Sequence, residues 1–158
     1  MTPPEALAIA DALGTNRSRQ EVKRIRDRAA RNTDAIRDVG HEQYEQARVV
    51  CPLLLSDGSC AVFDARPVHC RGWCLLHAGD DEPDVLSLTK NGAGPVDAHA
   101  HTVGRGAEVG LSRGIESAGL DGTVYELNSA LVVAFDTSSA AERWAIGSPV
   151  FELCKRYE

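Results

Sequence analysis

Four cysteines in one short stretch constrain this chain more than any other feature. Cys51, Cys60, Cys70 and Cys74 are separated by eight, nine and three residues, so four soft sulfurs fall within 24 positions. Asp57-Gly58 and Asp64-Ala65-Arg66-Pro67 lie between them and supply the reversals that could fold the sulfurs together. Thiolates bind zinc tetrahedrally and also hold iron–sulfur clusters, so a zinc ion and an iron–sulfur cluster are both open as cofactors. Metal binding would also stabilise a segment with few core residues of its own. Short paired CxxC spacings are missing, and free cysteine is often buried, so four small core residues is the competing reading. His69 and His77 are near enough in sequence to substitute as ligands, but each fits a surface or hydrogen-bonding role better.

The rest of the composition sets limits. A chain of 158 residues suits a single domain, expected over 1–158, with a modest core. Aromatics are only 5%, so that core must rest on Leu, Val, Ile and Ala. A net charge of -6 argues against a nucleic-acid partner. The arginines between Arg17 and Arg37 are interrupted by Glu21, Asp27 and Asp34 and read as a solvated helix face. No apolar run approaches the ~20 residues that span a bilayer, so no membrane partner is expected. Met1-Thr2-Pro3-Pro4-Glu5 lacks the basic and apolar regions of a signal peptide, and a cytoplasmic location follows. Thiols stay reduced there, so clustered cysteines read as ligands or reactive thiols before disulfides. With Cys154 the cysteines number five, which full pairing would not leave.

The pattern predicts a mainly α fold: a small helical domain around an irregular cysteine-rich loop or short hairpin. Helices are expected over about 3–48, the cysteine-rich segment over about 49–77, a loop over about 78–95 and helices over about 96–147. Thr2, Pro3 and Glu5 form a capping box for the first helix, with Leu7, Ala10 and Leu13 inward and Gly14 ending it. Ser18 and Glu21 open a second, with Val22, Ile25, Ala29, Ile36 and Val39 inward and Gly40 as its stop. A short helix is expected over His41 to Arg48. Leu53 to Leu55 and Cys60 to Phe63 flank Asp57-Gly58 as a small hairpin, and Val85 to Leu88 reads as extended. Further helices are predicted over Val96 to Ala118, Thr123 to Phe135, and after Thr137 or Ser138, the last directing Ala141, Trp144 and Ile146 inward.

Gly106, Gly110 and Gly114 recur every four residues. Glycine weakens a helix by ~1 kcal/mol relative to alanine, so the row suggests close packing on a neighbour, or a frayed helix. The stretch Gly104 to Gly110 lacks the preceding strand of a dinucleotide loop. His99 and His101 diverge if helical and share a face if extended. A nucleophile pairing Cys70 with His77 lacks an orienting group and an oxyanion site, so no catalytic residue is assigned.

The stretch CPLLLSDGSCAVFDARPVHCRGWC resembles the signature of the YkgJ-type cysteine-cluster family, described as zinc- or iron-chelating. That pattern runs roughly CPxL, a short turn, CxxY or CxxF, then RPxxCR. It is matched at Cys51, Pro52, Leu54, Cys60, Phe63, Arg66, Pro67, Cys70 and Arg71. TPPEALAIADAL and YELNSALVVAFDT…AAERW resemble flanking segments of bacterial members, so the likeness covers nearly the whole chain. It implies metal ligation by Cys51, Cys60 and Cys70, with Cys74 beyond the RPxxCR core. Family members usually carry a further group near CxxCC just before the segment equivalent to Thr2-Pro3-Pro4-Glu5. Its absence reads as truncation, a misassigned start or a lineage that lost those ligands.

Around such a site, Arg66 and Arg71 could offset thiolate charge and donate to sulfur. Holding the turn through backbone carbonyls is an equal alternative for Arg66. Pro67 fixes the turn, and Trp73 shields the cluster or packs on the helices. The leading expectation is a metal-binding protein. The alternatives are an enzyme resembling flagellin lysine N-methylases or Fe–S oxidoreductases, and a metal-free or structural-zinc interaction module with a protein partner the sequence does not name.

Overall fold

The computed structural model describes residues 1–40, 43, 47, 49–72 and 97–156. The mainly α fold expected from the sequence is what it shows, with no sheet among the described residues. The helices are α1 (Pro3–Asn16), α2 (Arg19–Ile36), α3 (Val68–Arg71), α4 (Ala98–Ser117), α5 (Leu127–Asp136) and α6 (Ala140–Ala145). A 3-10 turn at Phe63–Ala65 precedes α3. Among the described residues, no helix is long and apolar enough to cross a membrane.

Both early helices begin where their caps require. Thr2 donates its amide and its hydroxyl to Glu5 Oε2 at 2.7 and 2.8 Å. Ser18 does the same to Glu21 Oε2 at 3.1 and 2.6 Å, which satisfies groups that a helix start otherwise leaves orphaned. The face that α1 buries is Ala6, Ile9 and Leu13; Leu7 and Ala10 are only half-buried. The helix also runs through Gly14 to Asn16. Among the described residues a Cβ on Gly14 would meet nothing within 4 Å, so no close packing requires glycine there. In α2, Ile25, Ala29 and Ile36 are buried while Val22 is half-buried; the helix ends at Ile36, before the expected stop at Gly40, and Val39 lies beyond it, half-buried.

Helix α5 packs against both α1 and α2. Its Ala130 and Leu131 join Ile9, Leu13, Ile25, Ala29, Leu53, Val62, Tyr125 and Phe151 in the core. Each fully buried Leu, Ile or Phe there removes enough apolar area from water to contribute about 1.5–3 kcal/mol. Tyr125 stacks on Phe151 with ring centroids 5.9 Å apart.

The segment before α5 departs from expectation. Thr123 to Glu126 is not helical. Tyr125 exchanges backbone hydrogen bonds with Met1 (2.7 and 2.9 Å) and pairs with Arg156 in an antiparallel bridge. These cross-chain pairings outcompete the helical pattern, and α5 starts at Leu127 with Glu126 as its N-cap. Helix α6 is anchored by Ala140, which is buried, and Trp144, whose Nε1 donates to the Asp121 carbonyl at 3.0 Å. Ala141 and Ile146, expected inward, are exposed.

The glycine row on α4 does not pack. Gly106, Gly110 and Gly114 have nothing within 4 Å among the described residues. The close approach falls two residues earlier, on the other side of the helix: a Cβ on Gly104 would lie 2.8 Å from Gly72 Cα, and one on Gly72 would lie 2.9 Å from the Ala100 carbonyl. Backbone contact at these two glycines seats α3 on α4. The helix expected at His41 to Arg48 lies outside the described residues except at Gln43 and Ala47. The extended piece at Val85 to Leu88 and the loop around it lie wholly outside them.

Candidate metal centre

Cys60 sits on the small hairpin that the sequence predicts, and Cys51 lies just before its first strand. Leu54 and Cys60 form an antiparallel bridge, and Ala61 donates its amide to the Leu53 carbonyl at 2.8 Å. The reversal needs Gly58, whose φ of 83° is left-handed, while Asp57 Oδ1 accepts the Ser59 amide at 3.0 Å. Leu53, Ala61 and Val62 are buried and anchor the hairpin in the core. Two arginines clamp it from the helices. Arg17 Nη2 donates to the Ala61 carbonyl at 2.9 Å, and Arg28 Nη1 donates to the Leu54 carbonyl at 2.7 Å.

The third cysteine lies on α3, a single turn begun by Pro67. Arg71 Nε donates to the Arg66 carbonyl at 3.0 Å, and its Nη2 donates to the Asp64 carbonyl. Holding the turn through carbonyls, a role the sequence offers to Arg66, thus falls to Arg71. Arg66 instead lies over the Phe63 ring, 4.1 Å from its centroid, in cation–π contact. At the start of α3 the Val68 amide donates to Glu5 Oε1 at 2.7 Å.

Cys51 and Cys60 lie within electrostatic reach of Cys70. Burial, with charge on Cys51 and Cys60 acting in the same direction and the Met1 amine opposing, raises the Cys70 thiol to about 12. Burial also raises the Cys51 thiol, with Cys60 adding to the rise. The amides of Leu53 and Leu54 donate to the Cys51 sulfur and oppose that rise, as does the Arg28 guanidinium. Cys51 is crowded by protein on one side yet keeps an opening to solvent, whereas Cys60 and Cys70 are half-buried. Among the described residues, no group of three or more His, Cys, Asp or Glu side chains is set as a metal cage. Cys74, Trp73 and His77 lie outside the described residues.

The donor chemistry suits a soft or borderline cation. Sulfur donors favour zinc or iron–sulfur centres, and amide donors to sulfur are the hydrogen bonds that tune such ligands. Sequence pattern does not single out Arg28 or Glu5 as residues of this site. Glu5 is legible as a cap, but its second helix is not, because the contact with Val68 crosses 63 positions. Arg28 is one arginine among several on α2, and only the docked hairpin distinguishes it.

Behind Cys70 lies a cavity of about 180 Å³ that Pro67, His69, Cys70, Glu108 and Tyr125 help to line. Glu108 is 2% exposed. Its Oε2 accepts Arg105 Nη1 at 2.7 Å, and its Oε1 lies 3.8 Å from the Met1 amine. His69 Nδ1 is 3.9 Å from Glu108 Oε2, and the His69 and His101 rings meet edge-on at 5.7 Å. His99 and His101 are both on α4, so they diverge rather than share a face. Cys154 is buried beside Ser129, where burial pushes its thiol up to about 12.

No family model, curated protein or solved structure matches the chain.

Proposed function

We propose that this is a metal-binding protein in which Cys51, Cys60 and Cys70, with Cys74 as the fourth donor, hold zinc or an iron–sulfur centre. What supports the reading is that Cys51, just before the hairpin, and Cys60, on it, lie near enough for charge on them to raise the Cys70 thiol on α3. A dication that binds neighbouring thiols displaces their protons and offsets the repulsion among the thiolates that form. Amide donors at Cys51 and the nearby Arg28 guanidinium offset part of the negative charge such a site retains. The likeness around RPVHCR supports the same assignment, and a reducing compartment such as the cytoplasm keeps these thiols available.

Anaerobic purification followed by elemental analysis tests the proposal. The expected result is bound zinc or iron in wild type and its loss in the Cys60→Ala/Cys70→Ala variant. Equal metal content in the two overturns it. The absorption spectrum of the fresh protein separates the metals: a broad visible band indicates iron–sulfur, and a colourless metal-loaded sample indicates zinc.

A further inference from the structure

We propose that Glu5 is a positioning residue for the cysteine site, one carboxylate that sets α3, and with it Cys70, in register with the start of α1. This rests on the reading of the cysteines as metal ligands. The two oxygens of Glu5 serve two helix starts. Oε2 accepts the Thr2 amide and hydroxyl at 2.7 and 2.8 Å, and Oε1 accepts the Val68 amide at 2.7 Å.

Val68 is the first residue of α3, and Cys70 follows within the same turn. That helix has only four residues, far below the length at which a helix holds itself. Its placement is therefore set by what grips its ends. Gly72 against Gly104 holds the C-terminal end to α4, and Arg71 fixes the preceding turn. Glu5 holds the N-terminal end to α1.

Three variants of the full chain separate positioning from ordinary helix capping. Glu5→Gln keeps the shape but leaves one acceptor oxygen where two are used. Val68→Pro deletes only the donor, at a first-turn position where proline is tolerated, and leaves the α1 cap intact. Thr2→Val removes a capping hydroxyl and leaves the Glu5–Val68 bond. Zinc ion alone, titrated against a competing chelator, reports affinity. Iodoacetamide labelling of the metal-free protein, followed by mass spectrometry, reports Cys70 accessibility against Cys154 as an internal reference.

Glu5→Gln and Val68→Pro should each weaken zinc binding by about tenfold or more and speed Cys70 labelling relative to Cys154. Thr2→Val should lower the melting temperature and change neither. In a Cys70→Ser background, Glu5→Gln and Val68→Pro should produce no further loss of zinc affinity. The proposal is overturned if Thr2→Val reproduces their effect, or if their losses persist without Cys70. A wild-type protein that takes up no zinc would remove the metal reading, and the labelling result alone would then decide. Unchanged Cys70 labelling in both variants overturns the role of Glu5. If Glu5→Gln does not fold by circular dichroism, the Val68→Pro variant decides between the two outcomes.

Discussion

Gly72 and Gly104 meet backbone to backbone, so closely that a Cβ on Gly104 would lie 2.8 Å from Gly72 Cα. The third cysteine is two residues before Gly72 on a helix of one turn. Its position thus depends on a contact that no side chain larger than hydrogen allows.

Gly104→Ala should therefore separate α3 from α4, at a cost of about 1–3 kcal/mol. Gly110→Ala, on the same helix but with nothing within 4 Å among the described residues, should instead stabilise by up to about 1 kcal/mol. Urea denaturation of the two variants checks the contrast. Equal effects would show that the close approach is not formed.

The hairpin clamps give a second expectation. Arg28→Ala and Arg17→Ala each remove a charged donor from a hairpin carbonyl and should each cost about 1.5 kcal/mol. Arg26 pairs with Asp136 at 2.5 Å, but both side chains are substantially exposed, so Arg26→Ala should cost under about 1 kcal/mol. Thermal unfolding in moderate salt ranks the three. Arg26→Ala emerging as the most damaging would contradict the clamps.

Buried thiols predict an alkaline weakness in the metal-free, reduced protein. Cys70 and Cys154 stand near 12 when folded, against an ordinary value of 9.0. Below about 9 both states keep their protons and the two thiols add no pH dependence. Between 9 and 12 the unfolded chain releases protons that the folded chain retains, so stability falls as pH rises. Tyr125, also pushed up to about 12, adds to the fall above its ordinary 10.0. The urea midpoint should drop from pH 8 to 11, and the drop should be smaller in a Cys70→Ser/Cys154→Ser variant. An identical slope in that variant would contradict the burial of these thiols.

Local signals were the legible part of this fold. Both capping boxes, the Asp57-Gly58 hairpin and a helix within the expected stretch from Val96 to Ala118, observed over Ala98–Ser117, follow from chemistry within a few residues. What sequence periodicity missed is non-local. Thr123 to Tyr125 carries a helical pattern but pairs with Met1 and Arg156, because those partners satisfy its backbone from opposite ends of the chain. The glycine spacing on α4 draws attention to 106, 110 and 114, whereas the glycine that matters is 104, whose partner lies across 32 positions. At the candidate site the cysteines are visible as a cluster. The groups that arrange them, Glu5 through Val68 and Arg28 through Leu54, belong to helices whose docking no local pattern encodes.

Zinc K-edge X-ray absorption fine structure of protein loaded with one equivalent of zinc reads the shared ion's ligands without intermediaries. Ligation by the cysteines predicts a sulfur-dominated shell at about 2.3 Å that loses sulfur in each of the Cys51→Ala, Cys60→Ala and Cys70→Ala variants. A shell of nitrogen and oxygen at about 2.0–2.2 Å, unchanged by those substitutions, would contradict it.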